Sequence, residues 1–258
     1  MALEAPAMAG AEPGWSGRTT PSQGARDDLE AARALGIAAH RFLERWPLAR
    51  WGAPAQASII HAELLAEGAL ADRPATREMA DCLADFVASP YAAHVRSAGV
   101  DVYREEPFVI DVPSSNGSLR LRGTIDLLVV LADGSAEIID YKSSLDPLAS
   151  DVSFQLQAYA LAAFRRYRLS PVRVAAVSLD AAAQWPELSS FDEAALLAFE
   201  RRVAELGDCF AAARAADHFA GIAAPRCIAL RCGFAPMCHP DMFPPGTPSS
   251  DERSVEAP

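Results

Sequence analysis

Two runs rich in Val, Ile and Leu, Leu119–Leu131 and Ser135–Lys142, are separated only by Ala132, Asp133 and Gly134. That short link constrains the chain more than any other feature. Runs of this composition bounded by turn residues read as strands, and so brief a connection allows only an antiparallel hairpin. A three-residue hairpin loop is commonly a type I turn closed by a left-handed residue, which Gly134 supplies at no steric cost. Leu131 then pairs with Ser135, and the same register sets Asp126 opposite Asp140. A two-residue Asp-Gly turn would instead send the two carboxylates to opposite faces of the sheet.

Directly opposed side chains have Cβ atoms about 4.5–5.5 Å apart. Two carboxylates that close, in strands that otherwise read as buried, repel each other unless a cation compensates them. Strand alternation puts Asp140 and Lys142 on one face and Tyr141 on the other. Lys142 is the only lysine among 23 basic residues, the rest being arginine. A chain that elsewhere uses a planar guanidinium thus keeps a compact ammonium at one place. Carboxylate oxygens converging on a point suit a hard divalent ion, Mg²⁺ or Mn²⁺. Such an ion acts as a Lewis acid while a neighbouring ammonium stabilises developing negative charge, so phosphodiester hydrolysis is the natural reaction class.

The rest of the pattern surrounds this hairpin. Val100–Val112 reads as a preceding strand, joined to the hairpin through Ser114, Ser115, Asn116 and Gly117. Helices are expected over Asp27–Trp46, with Asp27 or Asp28 as cap and Pro47 as stop, and over residues 55–68, 74–88, 90–97, 152–167 and 191–216. Val172–Leu179 supplies one more strand. This order implies one α/β domain over residues 27–240: a mixed sheet containing an antiparallel meander, flanked by helices, with an N-terminal helical part. Residues 1–26 and 241–258, rich in Ala, Gly, Pro and Ser, read as a disordered lead and tail. No apolar run approaches the roughly 18 to 20 residues of a membrane span, and the N-terminus lacks a secretory signal pattern, so a cytoplasmic protein is expected. The net charge of −11 argues against coating nucleic acid by bulk electrostatics but leaves room for a local basic groove.

Five short motifs, in order, resemble those of the PD-(D/E)XK nuclease superfamily, and within it the RecB-type branch found at the ends of AddA and related helicase-nucleases. Gly36, His40, Leu43 and Glu44 resemble its helical GxxxHxxLE motif. Glu105, Pro107 and Phe108 resemble ExPF; Gly123 and Asp126 resemble GxxD; Asp140, Tyr141 and Lys142 form the DxK element; Gln155 and Tyr159 resemble QxxxY. The resemblance implies a restriction-endonuclease-like core in which His40, Asp126, Asp140 and the Tyr141 carbonyl hold Mg²⁺ or Mn²⁺. Lys142 would be the catalytic cation, with Asp126 and Asp140 sharing in catalysis and Gln155 and Tyr159, counted with the catalytic residues, beside the site to contact DNA or orient the lysine. It further implies DNA as substrate, an exonuclease acting on single-stranded ends, and a helicase partner in double-strand break repair and recombination. Read from the residues alone, His40 is either a ligand or a satisfied core histidine, and Gln155 and Tyr159 either line a site or pack a helix. Gly36 lies on the His40 face of its helix, where a small residue is expected to let the backbone approach the sheet.

Arg165, Arg166 and Arg168, with Arg173 and Tyr167 nearby, read either as a DNA-binding patch or as solvated cations at a helix C-terminus. Arg41 and Arg45 flank His40. Cys227, Cys232 and Cys238 have the close spacing of iron–sulfur or zinc ligands, but no cysteine precedes His40 to complete the four-iron pattern of some RecB-type nucleases. A degenerate remnant is the preferred reading. Cys82 and Cys209, inside expected helices, read as small buried hydrophobes. The rival from another class is a catalytically silent nuclease-fold module that binds DNA or a helicase.

Overall fold

The hairpin loop closes on Gly134, whose φ is 81°. Gly134 N–H donates to the Leu131 carbonyl at 3.0 Å, and Leu131 N–H donates to the Ser135 carbonyl at 2.9 Å. Asp133 braces the turn, its Oδ1 accepting from Ser135 N–H at 2.9 Å and Ser135 Oγ at 2.6 Å. The computed structural model describes residues 23–71, 73–142, 150–179, 185–217 and 223–229.

Their elements run α1 (Gln23–Arg45), α2 (Ala57–Ala66), α3 (Pro74–Ala88), α4 (Pro90–Ala98), β1 (Gly99–Ser114), β2 (Gly117–Leu131), β3 (Ala136–Lys142), α5 (Ser150–Tyr167), β4 (Val172–Ser178), β5 (Ser189–Phe191), α6 (Glu193–Ala215) and α7 (Ala224–Ala229). The strands form one sheet in the order β1-β2-β3-β4-β5. β2 and β3 are antiparallel with Leu127 opposite Ile139 and Val129 opposite Glu137, so Asp126 lies across from Asp140. β4 joins β3 in parallel, after the α5 crossover, and β5 returns antiparallel to β4. The sheet is mixed, as expected.

Two compact units divide the chain: Met1–Ile110 with Leu121–Phe199, and Asp111–Arg120 with Glu200–Pro258. In the first, Leu127, Val129, Ile139, Tyr141, Ala175 and Val177 share a buried cluster with Leu43, Leu64, Leu83 and Phe86 of α1–α3. Strand alternation turns Leu128, Ile138 and Val174 the other way, toward α5, which packs on β3 and β4. Helices therefore cover both faces of the central strands. In the second unit, Asp208 of α6 accepts from the main-chain N–H groups of Ser115 and Asn116 at 3.2 and 2.9 Å, and Arg120 grips Asp111 with two bonds of 2.8 and 3.0 Å.

Several boundaries differ from expectation. α1 begins at Gln23, so Asp27 and Asp28 lie within the helix rather than capping it, and Asp28 pairs with Arg73 at 2.6 Å. The three-residue β5 and the six-residue α7 carry too little periodicity to read beforehand. Proline and serine do mark α3 and α4: Pro74 and Pro90 take first-turn positions, and Ser89 Oγ accepts from Ala92 N–H at 3.1 Å.

A buried charge ties the start of β3 to α4. Glu137, only 4% exposed, accepts from Tyr91 Oη at 3.2 Å, meets His94 Nε2 at 3.1 Å and pairs with Arg173 at 3.2 Å. Truncating one member of such a network leaves the others unsatisfied. Glu137→Ala is expected to lower unfolding stability by about 2–3 kcal/mol, measured by urea denaturation. A loss below about 0.5 kcal/mol would show the network to be dispensable.

Candidate active site

Asp126 is fixed by the strand beside it: its Oδ2 accepts the Tyr141 main-chain N–H at 2.7 Å. Its other oxygen faces α1, where His40 Nδ1 stands 3.6 Å from Oδ1. The imidazole also meets Glu105 Oε1 at 3.1 Å and bonds the main chain of Tyr141. Its ring sits edge-on to the Tyr141 ring, with centroids 5.9 Å apart. Ligand atoms of His40, Glu105 and Asp126 all lie within 4.8 Å of one another.

Glu105 reaches this cluster through an irregularity in β1. Its φ is 50°, a conformation uncommon for a side-chain-bearing residue and unexpected inside a strand. Arg104 donates to the Leu43 and Trp46 carbonyls at 3.2 and 2.6 Å, satisfying the C-terminal end of α1. Glu105 also turns toward α1, whereas Glu106 accepts from Tyr167 Oη of α5 at 2.8 Å. Residues 104 and 106 would share a face in a regular strand. The shifted phase at Glu105 lets adjacent side chains hold the end of α1 and the His40 ring.

Asp140, 2% exposed, lies across from Asp126 on the neighbouring strand β3. Lys142 Nζ stands 2.7 Å from Asp140 Oδ2, yet that buried oxygen has no well-directed hydrogen bond. Lys142 Nζ donates to Gln155 Oε1 at 3.1 Å, and Gln155 Nε2 donates to Tyr159 Oη at 2.7 Å. Gln155 and Tyr159 are one helical turn apart on α5, which makes the relay possible. Tyr159 packs edge-on against Phe108 at 5.7 Å, and Gly123 lies under both rings. A Cβ at Gly123 would fall 2.9 Å from Phe108 Cε1. His40, Asp126, Asp140, Tyr141, Lys142, Gln155 and Tyr159 all line a single cleft of about 300 Å³.

The model of the PD-(D/E)XK nuclease superfamily matches residues 17–239 of this chain. The chain belongs to that superfamily. Membership implies a metal-dependent nuclease, and the mixed sheet flanked by helices is consistent with its restriction-endonuclease-like fold. A crystal structure of SSO0001 is similar at 11% identity over 69% of this chain and 86% of its own, with a TM-score of 0.29. Comparison with curated proteins gives no match.

The donors of this nuclease-superfamily site suit a divalent cation: one imidazole, two carboxylates within reach of it, and a buried Asp140 oxygen lacking a directed hydrogen bond. Burial and the neighbouring Asp140 and Glu105 charges push the Asp126 carboxyl up to about 7, against the opposing effects of His40 and the Tyr141 N–H. Asp140 is also raised by burial, with Lys142 partly offsetting the effect. For His40, burial favours the neutral ring, but the Glu105 hydrogen bond and the Asp126 and Glu105 charges outweigh it and hold the pKa above its usual value. Tyr159 is raised by burial and by the two aspartates, so its hydroxyl keeps its proton.

The remaining sequence candidates fall elsewhere or into other contacts. Arg166 spends its guanidinium on Glu106 at 2.8 Å, the Pro107 carbonyl at 2.9 Å and the face of Tyr167 at 5.1 Å, latching α5 to β1. Arg173 serves Glu137, while Arg165 and Arg168 are exposed at the end of α5. Arg41 and Arg45 both pair with Glu67. Cys227 is buried on α7; Cys232 and Cys238 lie outside the described residues. Cys209 is exposed and Cys82 half-buried, so neither is the fully buried hydrophobe expected. Gly36 also departs from expectation: among the described residues no atom lies within 4 Å of where a Cβ would stand, so it serves no close approach to the described strands. Glu105, cited above only as part of a motif, joins the candidate ligands. Its signal is a strand irregularity, which sequence alternation does not disclose. Among the described residues, no helix is long and apolar enough to cross a membrane.

Because Asp126 and His40 titrate higher in the folded than in the unfolded chain, their contribution to stability is present at low pH and lost as pH rises through about 7. In EDTA, Tm is expected to fall between about pH 5 and pH 8, more steeply than in Asp126→Asn, and Mn²⁺ should restore it at the upper end. Equal slopes for the two proteins would contradict the raised Asp126 pKa. Glu105→Gln is expected to weaken Mn²⁺ binding by about tenfold in titration calorimetry, whereas unchanged affinity would place Glu105 outside the metal shell.

Proposed function

We propose that this protein is a Mg²⁺- or Mn²⁺-dependent deoxyribonuclease of RecB type that hydrolyses phosphodiester bonds. The observation that carries the reading is the lone lysine of the chain, with Nζ 2.7 Å from Asp140, facing the same cleft as the His40–Asp126 pair. Only one of 23 basic residues is a lysine, and it occupies the one place where a compact cation meets the paired carboxylates. His40, Asp126, Asp140 and the Tyr141 carbonyl are the proposed ligands, with Glu105 added to or bracing them.

A divalent cation on these donors supplies Lewis acidity and charge neutralisation for phosphodiester hydrolysis. The chain's own groups provide the rest. Lys142 brings positive charge to the phosphoryl oxygens, and Gln155 fixes it by accepting one of its three N–H bonds. Tyr159 accepts from Gln155, so its own hydrogen points away from that residue. Hydrolysis breaks one P–O bond, adds the hydroxyl of water to phosphorus and delivers a proton to the leaving oxygen. Single-stranded ends as substrate, exonucleolytic action and a helicase partner in break repair and recombination follow from the motif resemblance and belong to this proposal. A DNA-binding role for Arg165 and Arg168 is also part of it, with Arg166 held back by its contacts to β1.

Labelled single- and double-stranded DNA incubated with Mg²⁺ or Mn²⁺ tests the reaction. Lys142→Ala is expected to cut at least about 10³-fold more slowly while still binding Mn²⁺, and Asp126→Ala to lose both metal and activity. Products shortened progressively from an end would support exonuclease action. Cleavage by Lys142→Ala at the wild-type rate would remove the catalytic assignment, and no cleavage by the wild type would favour a silent binding module.

A further inference from the structure

Pro47 leaves a gap in the hydrogen bonding at the end of α1. In an α-helix the Leu43 carbonyl would accept the N–H of residue 47, and a proline there has none to give. The ladder is intact just before that point, where Trp46 N–H donates to the Phe42 carbonyl at 2.8 Å. Beyond it the chain tightens, and Arg50 N–H donates to the Pro47 carbonyl at 2.8 Å rather than to Trp46. The carbonyls of Leu43 and Trp46 are thus left over by the main chain.

One nitrogen from β1 takes both. Arg104 Nη1 donates to the Trp46 carbonyl at 2.6 Å and to the Leu43 carbonyl at 3.2 Å. Arg104 is half-buried, and among the described residues no carboxylate pairs with it. Leu43 lies one helical turn from His40, and the residue after Arg104 holds the His40 ring itself, with Glu105 Oε1 at 3.1 Å from Nδ1. Consecutive side chains of β1 therefore grip the main chain and the imidazole of the same turn. We propose that Arg104 is a positioning residue for the metal centre: by standing in for the N–H that Pro47 lacks, it sets where His40 meets Asp126, a role that rests on the metal-dependent reading above.

The geometry leaves little tolerance. His40 Nδ1 stands 3.6 Å from Asp126 Oδ1, and the candidate ligand atoms all lie within 4.8 Å of one another. Bonds to a hard cation are only about 2.0–2.6 Å long, so a small shift of the helix end removes the imidazole from reach. A last turn with unpaired carbonyls frays, and His40 moves with it. The Arg104 charge also acts on the buried Tyr141 hydroxyl, which has no hydrogen-bond partner. Tyr141 is the residue whose main-chain N–H anchors Asp126. Arg104 thus bears on both members of the His40–Asp126 pair without touching the cleft.

Arg104→Met, Arg104→Lys and the double variant Pro47→Ala/Arg104→Met test the inference by Mn²⁺ titration calorimetry, at a temperature where circular dichroism shows each protein folded. Removing a positive charge near a cation site would by itself tighten Mn²⁺ binding, so charge and positioning predict opposite signs. Expected is about tenfold weaker binding by Arg104→Met. Arg104→Lys keeps a donor, and Pro47→Ala returns an N–H to the Leu43 carbonyl, so both proteins should recover part of the loss. In metal-free protein the His40 ring ¹⁵N signals, identified by their absence in His40→Gln, should shift in Arg104→Met and return toward wild type in the double variant. Folded Arg104→Met that lowers Tm yet binds Mn²⁺ as tightly as wild type, or more tightly, would overturn the positioning role and leave the nuclease reading intact. So would a double variant no better than Arg104→Met. If Arg104→Met does not fold, Arg104→Lys and the double variant decide the question, wild-type affinity in both being the overturning result. A wild-type protein that binds no Mn²⁺ would overturn both readings.

Discussion

Two carboxylates held opposite each other on adjacent buried strands cannot both carry charge without help, and the site is organised around that conflict. Asp126 and Asp140 face each other because a three-residue loop fixes the β2–β3 register. Asp126 is answered by the Tyr141 N–H and the His40 ring, Asp140 by the ammonium two residues on. The compensation is incomplete, since both carboxyls titrate high and one Asp140 oxygen has no directed hydrogen bond. An unresolved repulsion of this kind is a standing preference for a divalent cation.

Positioning the imidazole requires a second departure from regularity. His40 belongs to a helix packed on one face of the sheet, while Gln155 and Tyr159 come from the helix on the other. The site draws on both layers at the place where β1 changes phase. The left-handed residue at Glu105 lets Arg104 hold the last carbonyls of α1 and Glu105 hold its histidine, while Glu106 turns to α5. A strand obeying strict alternation could not serve both helices in this way. Backbone strain here falls beside candidate metal donors, where such irregularities concentrate.

The two motif glycines illustrate how the same residue type answers different demands. Gly123 is required by close packing, because Phe108 and Tyr159 occupy the space a side chain would need. At Gly36, by contrast, no atom of the described residues lies within 4 Å of where a Cβ would stand, so packing does not require it. The arginines divide similarly: Arg166 and Arg173 are committed to Glu106 and Glu137, whereas Arg165 and Arg168 are exposed at the end of α5.

By itself the sequence determined the hairpin register, the alternation that puts Asp140 and Lys142 together, and the identity of the lone lysine, because loop length and period-two patterning are local properties of the chain. It also located most helices and strands, whose periodicity runs long enough to read, but not β5 or α7. The contact of Glu105 with His40, the lack of any described atom within 4 Å of a Cβ at Gly36, the exposure of Cys209 and the partners of Arg166 were decided only by tertiary structure. Each depends on which atoms of distant segments arrive nearby, and the phase shift in β1 that brings Glu105 to His40, 65 positions away in sequence, leaves no trace in hydrophobic pattern.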